Sequence, residues 1–104
     1  MPKVLNIKEL GREAALVMIE SGKAVYIGRE GNFRRYGWPK SKWRNPFLIG
    51  PHGSRDDVIA KYRTWIVQQP ELMAALSELR GVDLLCWCAP KPCHGDVLLN
   101  LANR

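Results

Sequence analysis

Cysteine is scarce in this chain, three residues in 104, and histidine scarcer still, with two. A small, odd number of cysteines excludes the disulfide framework of a small secreted domain. No apolar run approaches the roughly 18 residues that a membrane span needs. The opening segment Met1-Pro2-Lys3-Val4-Leu5-Asn6-Ile7 has neither a long apolar stretch nor the small-residue cleavage site of a secretory signal. A reducing, cytoplasmic setting with no membrane partner is therefore the default expectation. Phosphate-cradling Walker loop, dinucleotide fingerprint and paired-carboxylate signature are all missing, which leaves nucleotide triphosphate hydrolysis and hydride transfer without support. Acidic residues are also in short supply: ten stand against sixteen lysines and arginines, a net charge of +6.

What is present reads as one globular domain spanning 1–104. The hydrophobic fraction is 46% and the charged fraction 25%, ordinary values for a folded chain of this size. Val4 to Ile7 is a short apolar run and is expected as a strand. Asn6 with Glu9 three residues on resembles a capping box. Leu10, Ala14, Val17 and Met18 then recur at helical spacing up to Gly22. Ala24-Val25-Tyr26-Ile27-Gly28 reads as a strand running into a loop. From Glu30 to Pro46 there is no periodicity, so a long loop is expected, with Phe47-Leu48-Ile49 as a short edge strand after it. Ser54 and Asp57 open a helix whose inward face is Val58, Ile59, Tyr62, Trp65 and Ile66. Pro70 begins another, burying Leu72, Leu76 and Leu79. Val82 to Cys88 is a nearly continuous apolar run, the pattern of a central strand covered on both faces. A last helix carries Asp96 in its first turn and turns Val97, Leu98 and Leu101 inward. Strands alternating with helices predict an α/β fold, a small, mostly parallel sheet flanked by helices in a Rossmann-like three-layer arrangement. Ligands of such sheets sit beyond the carboxyl ends of the strands.

Charge is unevenly spread. Between Arg29 and Arg44, six basic residues oppose Glu30 alone, a local charge of +5, interleaved with Phe33, Tyr36, Trp38 and Trp43. Basic and aromatic side chains on a Gly/Pro-rich loop suit phosphate neutralisation and base stacking, which makes Arg34, Arg35, Lys42, Trp43 and Arg44 candidates for nucleic-acid contact. The alternative is a solvated loop pinned to the core by its rings.

All three cysteines and one histidine fall within nine consecutive positions, from Cys86 to His94. A metal reading takes Cys86, Cys88, Cys93 and His94 as four ligands, for which zinc is the natural ion. Their C-x-C-x4-C-H spacing departs from the paired knuckles of common zinc sites, and adjacent Cys93 and His94 reach one ion awkwardly. A nucleophile reading places Cys93 just before a helix, where unpaired N–H groups and the dipole favour thiolate. His94 would then serve as acid, base or ligand contact, and Asp96 as an orienting carboxylate or a partner of the helix dipole. Arg29, after Gly28 at the end of a strand, could clamp a phosphate there, with Asn45 contributing a hydrogen bond. A third reading makes Cys86 and Cys88 small core residues on their strand, so that any chemistry rests with Cys93 and His94.

Three blocks carry a family resemblance. Tyr26-Ile27-Gly28-Arg29, Trp43-Arg44-Asn45-Pro46-Phe47, and Cys86-Trp87-Cys88-Ala89-Pro90 with Pro92-Cys93-His94-Gly95-Asp96-Val97-Leu98 resemble the signature blocks of domain-of-unknown-function family 4326. The resemblance runs from about Ala24 to Asn103 and implies a small protein of bacteria or their phages, hence host cytoplasm if phage-encoded. It implies no reaction. The cysteine-histidine ending also resembles the matching block of domain-of-unknown-function family 488, an α/β family. Two functions remain open. One is a small enzyme or sensor that binds or processes a nucleotide-like, phosphorylated ligand. The other is a basic nucleic-acid-binding or interaction module with structural or zinc-holding cysteines.

Overall fold

In the computed structural model of the chain, residues 2–28 and 41–104 are described. Three short strands, β1 (Val4–Asn6), β2 (Ala24–Tyr26) and β3 (Asp83–Cys86), form one parallel sheet in the order β1-β3-β2. The register pairs Leu5 with Leu85 and Tyr26 with Leu85, so β3 is the central strand. The apolar run read as a strand over Val82 to Cys88 is thus shorter at both ends, and Cys88 lies in the connection that follows it. The helices are α1 (Ile7–Leu10), α2 (Arg12–Glu20), α3 (Arg55–Ile66), α4 (Pro70–Ala75) and α5 (His94–Ala102), with a 3-10 turn at Leu76–Leu79.

Side-chain alternation along the strands explains why the sheet is covered twice. Leu84 and Cys86 face one side, where Ile27, Tyr62, Ile66, Leu79, Val97 and Leu98 pack against them. Leu85 faces the other, against Ile7, Ala15, Ala24 and Tyr26. Period-two alternation sorts residues of one strand into two cores, and the helices close those cores as outer layers. Leu84 and Leu85 are fully buried, and each such side chain stabilises the fold by about 1.5–3 kcal/mol. The expected three-layer α/β arrangement is the one observed.

Two local expectations fail for identifiable reasons. The first helix is broken: Gly11 takes φ +95°, a left-handed conformation open to glycine, and separates α1 from α2. The break resets the helical register, so Ala15 is the buried residue of α2, whereas Ala14 is exposed and Val17 is 63% exposed. Asn6 does cap α1, but through Lys8 N–H. Phe47-Leu48-Ile49 forms no strand; the chain turns instead through an isolated bridge between Gly50 and Gly53. His52 Nδ1 accepts the Leu48 N–H at 2.7 Å and its ring meets Phe47 edge-on, which fixes that turn without a sheet partner. Among the described residues no helix is long and apolar enough to cross a membrane.

Candidate functional site

β3 ends at Cys86, and the chain returns to the sheet at α5. The connection between them is tied down by Asn6 of β1, whose side-chain amide donates to the carbonyls of Ala89 at 2.8 Å and Trp87 at 3.3 Å. Cys93 then serves as the N-cap of α5. Its backbone is extended, its N–H donates to Asp96 Oδ2 at 3.0 Å, and its sulfur accepts the Gly95 N–H at 3.3 Å. Asp96 is therefore the reciprocal member of a capping box, and its carboxylate occupies the helix start that was considered for a ligand phosphate. The tight seat at Gly95 explains the glycine: a Cβ there would lie 2.9 Å from both Ile27 Cδ1 and Val4 Cγ2, and 3.2 Å from Cys93 Sγ.

Two of the three thiols meet. Cys86 Sγ lies 3.7 Å from Cys93 Sγ, and it also accepts the Cys88 N–H at 3.4 Å. All three are unbridged. The Cys86 thiol, hydrogen-bonded to Cys93, holds the Cys93 thiol below its ordinary pKa; Gly95 N–H adds to this and burial opposes it. At Cys86 the hydrogen bond from Cys88 pulls downward, but donation toward Cys93, burial and the charge on Cys93 outweigh it and raise the pKa. Cys88 is raised more strongly, first by its hydrogen bond to Cys86 and then by burial, with Arg55 opposing. Negative charge is favoured at Cys93, and Cys86 is then the donor across the 3.7 Å contact, since a thiolate only accepts.

His94, the first residue of α5, is half-buried. Its Nε2 lies 2.8 Å from the Ile27 carbonyl oxygen, and its ring meets Tyr62 edge-on at 5.0 Å. A carbonyl only accepts, so Nε2 carries the hydrogen of this contact. His94 links the start of α5 to the residue just beyond β2. Tyr62 in turn donates to the Trp43 carbonyl at 2.8 Å, and burial, followed by charge on Cys93, raises its own pKa. Arg55 donates to the Pro92 carbonyl at 3.2 Å.

The remaining candidates fare differently. Trp43 is 2% exposed and belongs to the core, so its ring cannot stack on a base. Asn45 is buried, and its amide donates to the Val58 carbonyl and accepts the Phe47 N–H, so it serves the fold instead of a ligand. Lys42 pairs with Glu78 at 2.9 Å and lies 5.4 Å over the Trp43 ring, while Arg44 bonds the Ser41 carbonyl. Gly28 is buried against the Tyr26 ring, where a Cβ would collide. Arg29, Arg34 and Arg35 lie outside the described residues. Among the described residues, no group of three or more His, Cys, Asp or Glu side chains is arranged to hold a metal ion, so the set Cys86, Cys88, Cys93 and His94 is not assembled as a zinc site. Sequence places Asn6 at a cap and Tyr62 on an inward helix face, but gives no sign of the bonds that tie them to this site. A cap residue gives no hint of a second bond across the sheet, whereas the hydroxyl of an inward tyrosine always needs a partner.

The family described as "Domain of unknown function (DUF4326)" matches over residues 11–104. An uncharacterised protein of Acanthamoeba polyphaga mimivirus is 39% identical over 85 residues, covering 74% of this chain and 65% of the relative. An uncharacterised 12.4 kDa protein from the nrdA-td intergenic region of Enterobacteria phage T4 is 38% identical over 56 residues, covering 50% of this chain and 52% of the relative. The chain thus spans less than two thirds of the length of these two relatives. No solved structure matches.

Proposed function

The chain belongs to the DUF4326 family, and from that premise we propose that it is a small thiol-dependent protein in which Cys93 is the reacting group of a site that binds or processes a nucleotide-like, phosphorylated ligand. The observation that carries this reading is the choice of sulfur at a helix cap. Serine, threonine, aspartate and asparagine are the preferred caps, because oxygen is the better acceptor. A cysteine there forgoes part of the capping energy, and its sulfur is placed where the Gly95 N–H, joined by the Cys86 thiol when that group donates, favours thiolate. The position beyond the carboxyl ends of parallel strands is where α/β sheets bind ligands. With the helix start filled by Asp96, a phosphate would lie outside it, and the net charge of +6 suits a phosphorylated ligand.

The roles divide by contact. Cys93 is the nucleophile or thiolate contact. Asp96 is a positioning residue, because its carboxylate holds the Cys93 N–H. His94 joins the site to the end of β2 through Ile27 and presents a ring beside Tyr62. Of the four rings that the nucleic-acid alternative counted on, Trp43 is in the core, and Phe33, Tyr36 and Trp38 lie outside the described residues. The test is a thermal-shift screen with nucleoside mono- and diphosphates against inorganic phosphate, on wild type and Cys93→Ser. A rise in Tm with a nucleotide that disappears in Cys93→Ser supports the reading. Equal rises in both proteins, or none in wild type, overturns it.

A further inference from the structure

Cys86 has no task in that reading beyond polarising its neighbour, yet its sulfur lies 3.7 Å from Cys93 Sγ, and the two residues are only 2% and 4% exposed. The geometry points to a reversible dithiol–disulfide couple between Cys86 and Cys93, oxidised by hydrogen peroxide or a peroxide of similar size, with Cys93 the sulfur oxidised first and Cys86 the one that resolves it. The inference rests on the Cys93 thiolate of the proposed site, but not on any phosphorylated ligand.

Several observations converge. A disulfide bond is about 2.05 Å long, so the sulfurs need to close by roughly 1.7 Å, within reach of rotations about the Cα–Cβ bonds. One partner ends a strand and the other is an extended N-cap, so neither is locked inside a helix. Each sulfur accepts a backbone N–H, from Cys88 and from Gly95, which supports negative charge on either during exchange. Burial favours a small oxidant, because a molecule little larger than water needs the least local opening to reach sulfurs this enclosed. Cys88 is the less suitable partner, because a bridge to Cys86 across one residue closes a strained ring.

The steps balance. Cys93 thiolate attacks one peroxide oxygen, the O–O bond breaks, and hydroxide leaves and takes up a proton to become water; Cys93 is now a sulfenic acid. Cys86 gives up its proton as its sulfur attacks that of Cys93. The S–O bond breaks, the S–S bond forms, and the hydroxyl leaves with the proton as a second water. Two thiols lose two electrons and two protons, and the peroxide is reduced to two waters. A dithiol reductant reverses the product by thiol–disulfide exchange.

The experiment treats the full chain, folded, with equimolar hydrogen peroxide and follows its mass. Wild type and Cys88→Ser are each expected to lose two hydrogens, with fragmentation placing the bridge at Cys86–Cys93 and dithiothreitol restoring the mass. Cys86→Ala is expected to stop at the sulfenic acid, captured on Cys93 by a 1,3-dione reagent. No mass loss in wild type or Cys88→Ser, or a first adduct on Cys88, overturns the couple, and the wild-type result requires no variant to fold. If the bridge forms but no nucleotide raises Tm, the proposed ligand site fails and the couple stands. A nucleotide shift with no bridge leaves the site and removes the couple.

Discussion

Helices α3 and α5 start in the same way and differ in one atom. Ser54 Oγ accepts the Asp57 N–H at 3.2 Å and Asp57 Oδ2 accepts the Ser54 N–H at 2.9 Å, a capping box on the surface. Cys93 and Asp96 repeat that box at α5 with sulfur in place of oxygen, but Cys93 is buried and touches a second thiol. The α3 cap is fully accounted for by helix energetics, since an exposed serine satisfies a backbone donor and does nothing else. The α5 cap is not, because sulfur is the weaker acceptor and burying it beside Cys86 adds nothing to capping. Shared geometry with unequal chemistry separates a structural cap from a candidate site more sharply than either does alone.

The comparison can be broken from several sides. The largest effect is expected at Gly95, the second residue of α5. Alanine in place of glycine inside a helix usually stabilises, but here its Cβ would sit 2.9 Å from Ile27 and Val4. Gly95→Ala should therefore destabilise by about 1–3 kcal/mol, the usual cost of overpacking, read as a lower urea midpoint. The counterpart change at the exposed Asp56 of α3 should move the midpoint hardly at all. Next in size, Asp96→Ala should cost about 0.3–1.5 kcal/mol of stability, as loss of a capping-box partner does, and should also alter Cys93 labelling. Asp57→Ala should weaken α3 without touching thiol reactivity. A labelling profile unchanged in Asp96→Ala would reduce the α5 box to a second copy of the α3 one. Exchanging the atoms themselves sharpens the contrast: Ser54→Cys should leave function intact, whereas Cys93→Ser should keep the fold and abolish ligand-induced shifts.

The smallest effect concerns pH. The Ser54 backbone N–H, then its hydroxyl, hold the Asp57 carboxyl below its ordinary pKa. A carboxyl depressed in the folded state contributes stability that is fully present above the unfolded pKa and is lost as pH falls through the folded one. Acid unfolding followed by circular dichroism should thus show a slightly shallower loss in Asp57→Asn, confined to pH values below the ordinary carboxylate range.

Much of the fold was legible because its signals are local. The apolar run around Leu84, Leu85 and Cys86, the helix-opening pair of Ser54 and Asp57, and Asp96 in the first turn of the last helix depend on neighbours in sequence. The break at Gly11 was not legible: the apolar spacing from Leu10 to Met18 reads as one helix, and only the positive φ at Gly11 shows which residues turn inward. Trp43 and Asn45 misled for the opposite reason. Their types suit recognition, but where a ring or amide makes its bonds depends on α3, thirteen or more residues away. The pairing of Cys86 with Cys93 was half visible. Proximity in sequence brought them together, and the sheet and cap set their sulfurs 3.7 Å apart.

Ultraviolet titration of thiolate in wild type, with the Cys93→Ser protein subtracted, bears most directly on the claim that charge collects at Cys93. The structure predicts that the difference curve has its midpoint below the ordinary cysteine value of about 8.5. A Cys93 midpoint at or above the ordinary one would contradict it.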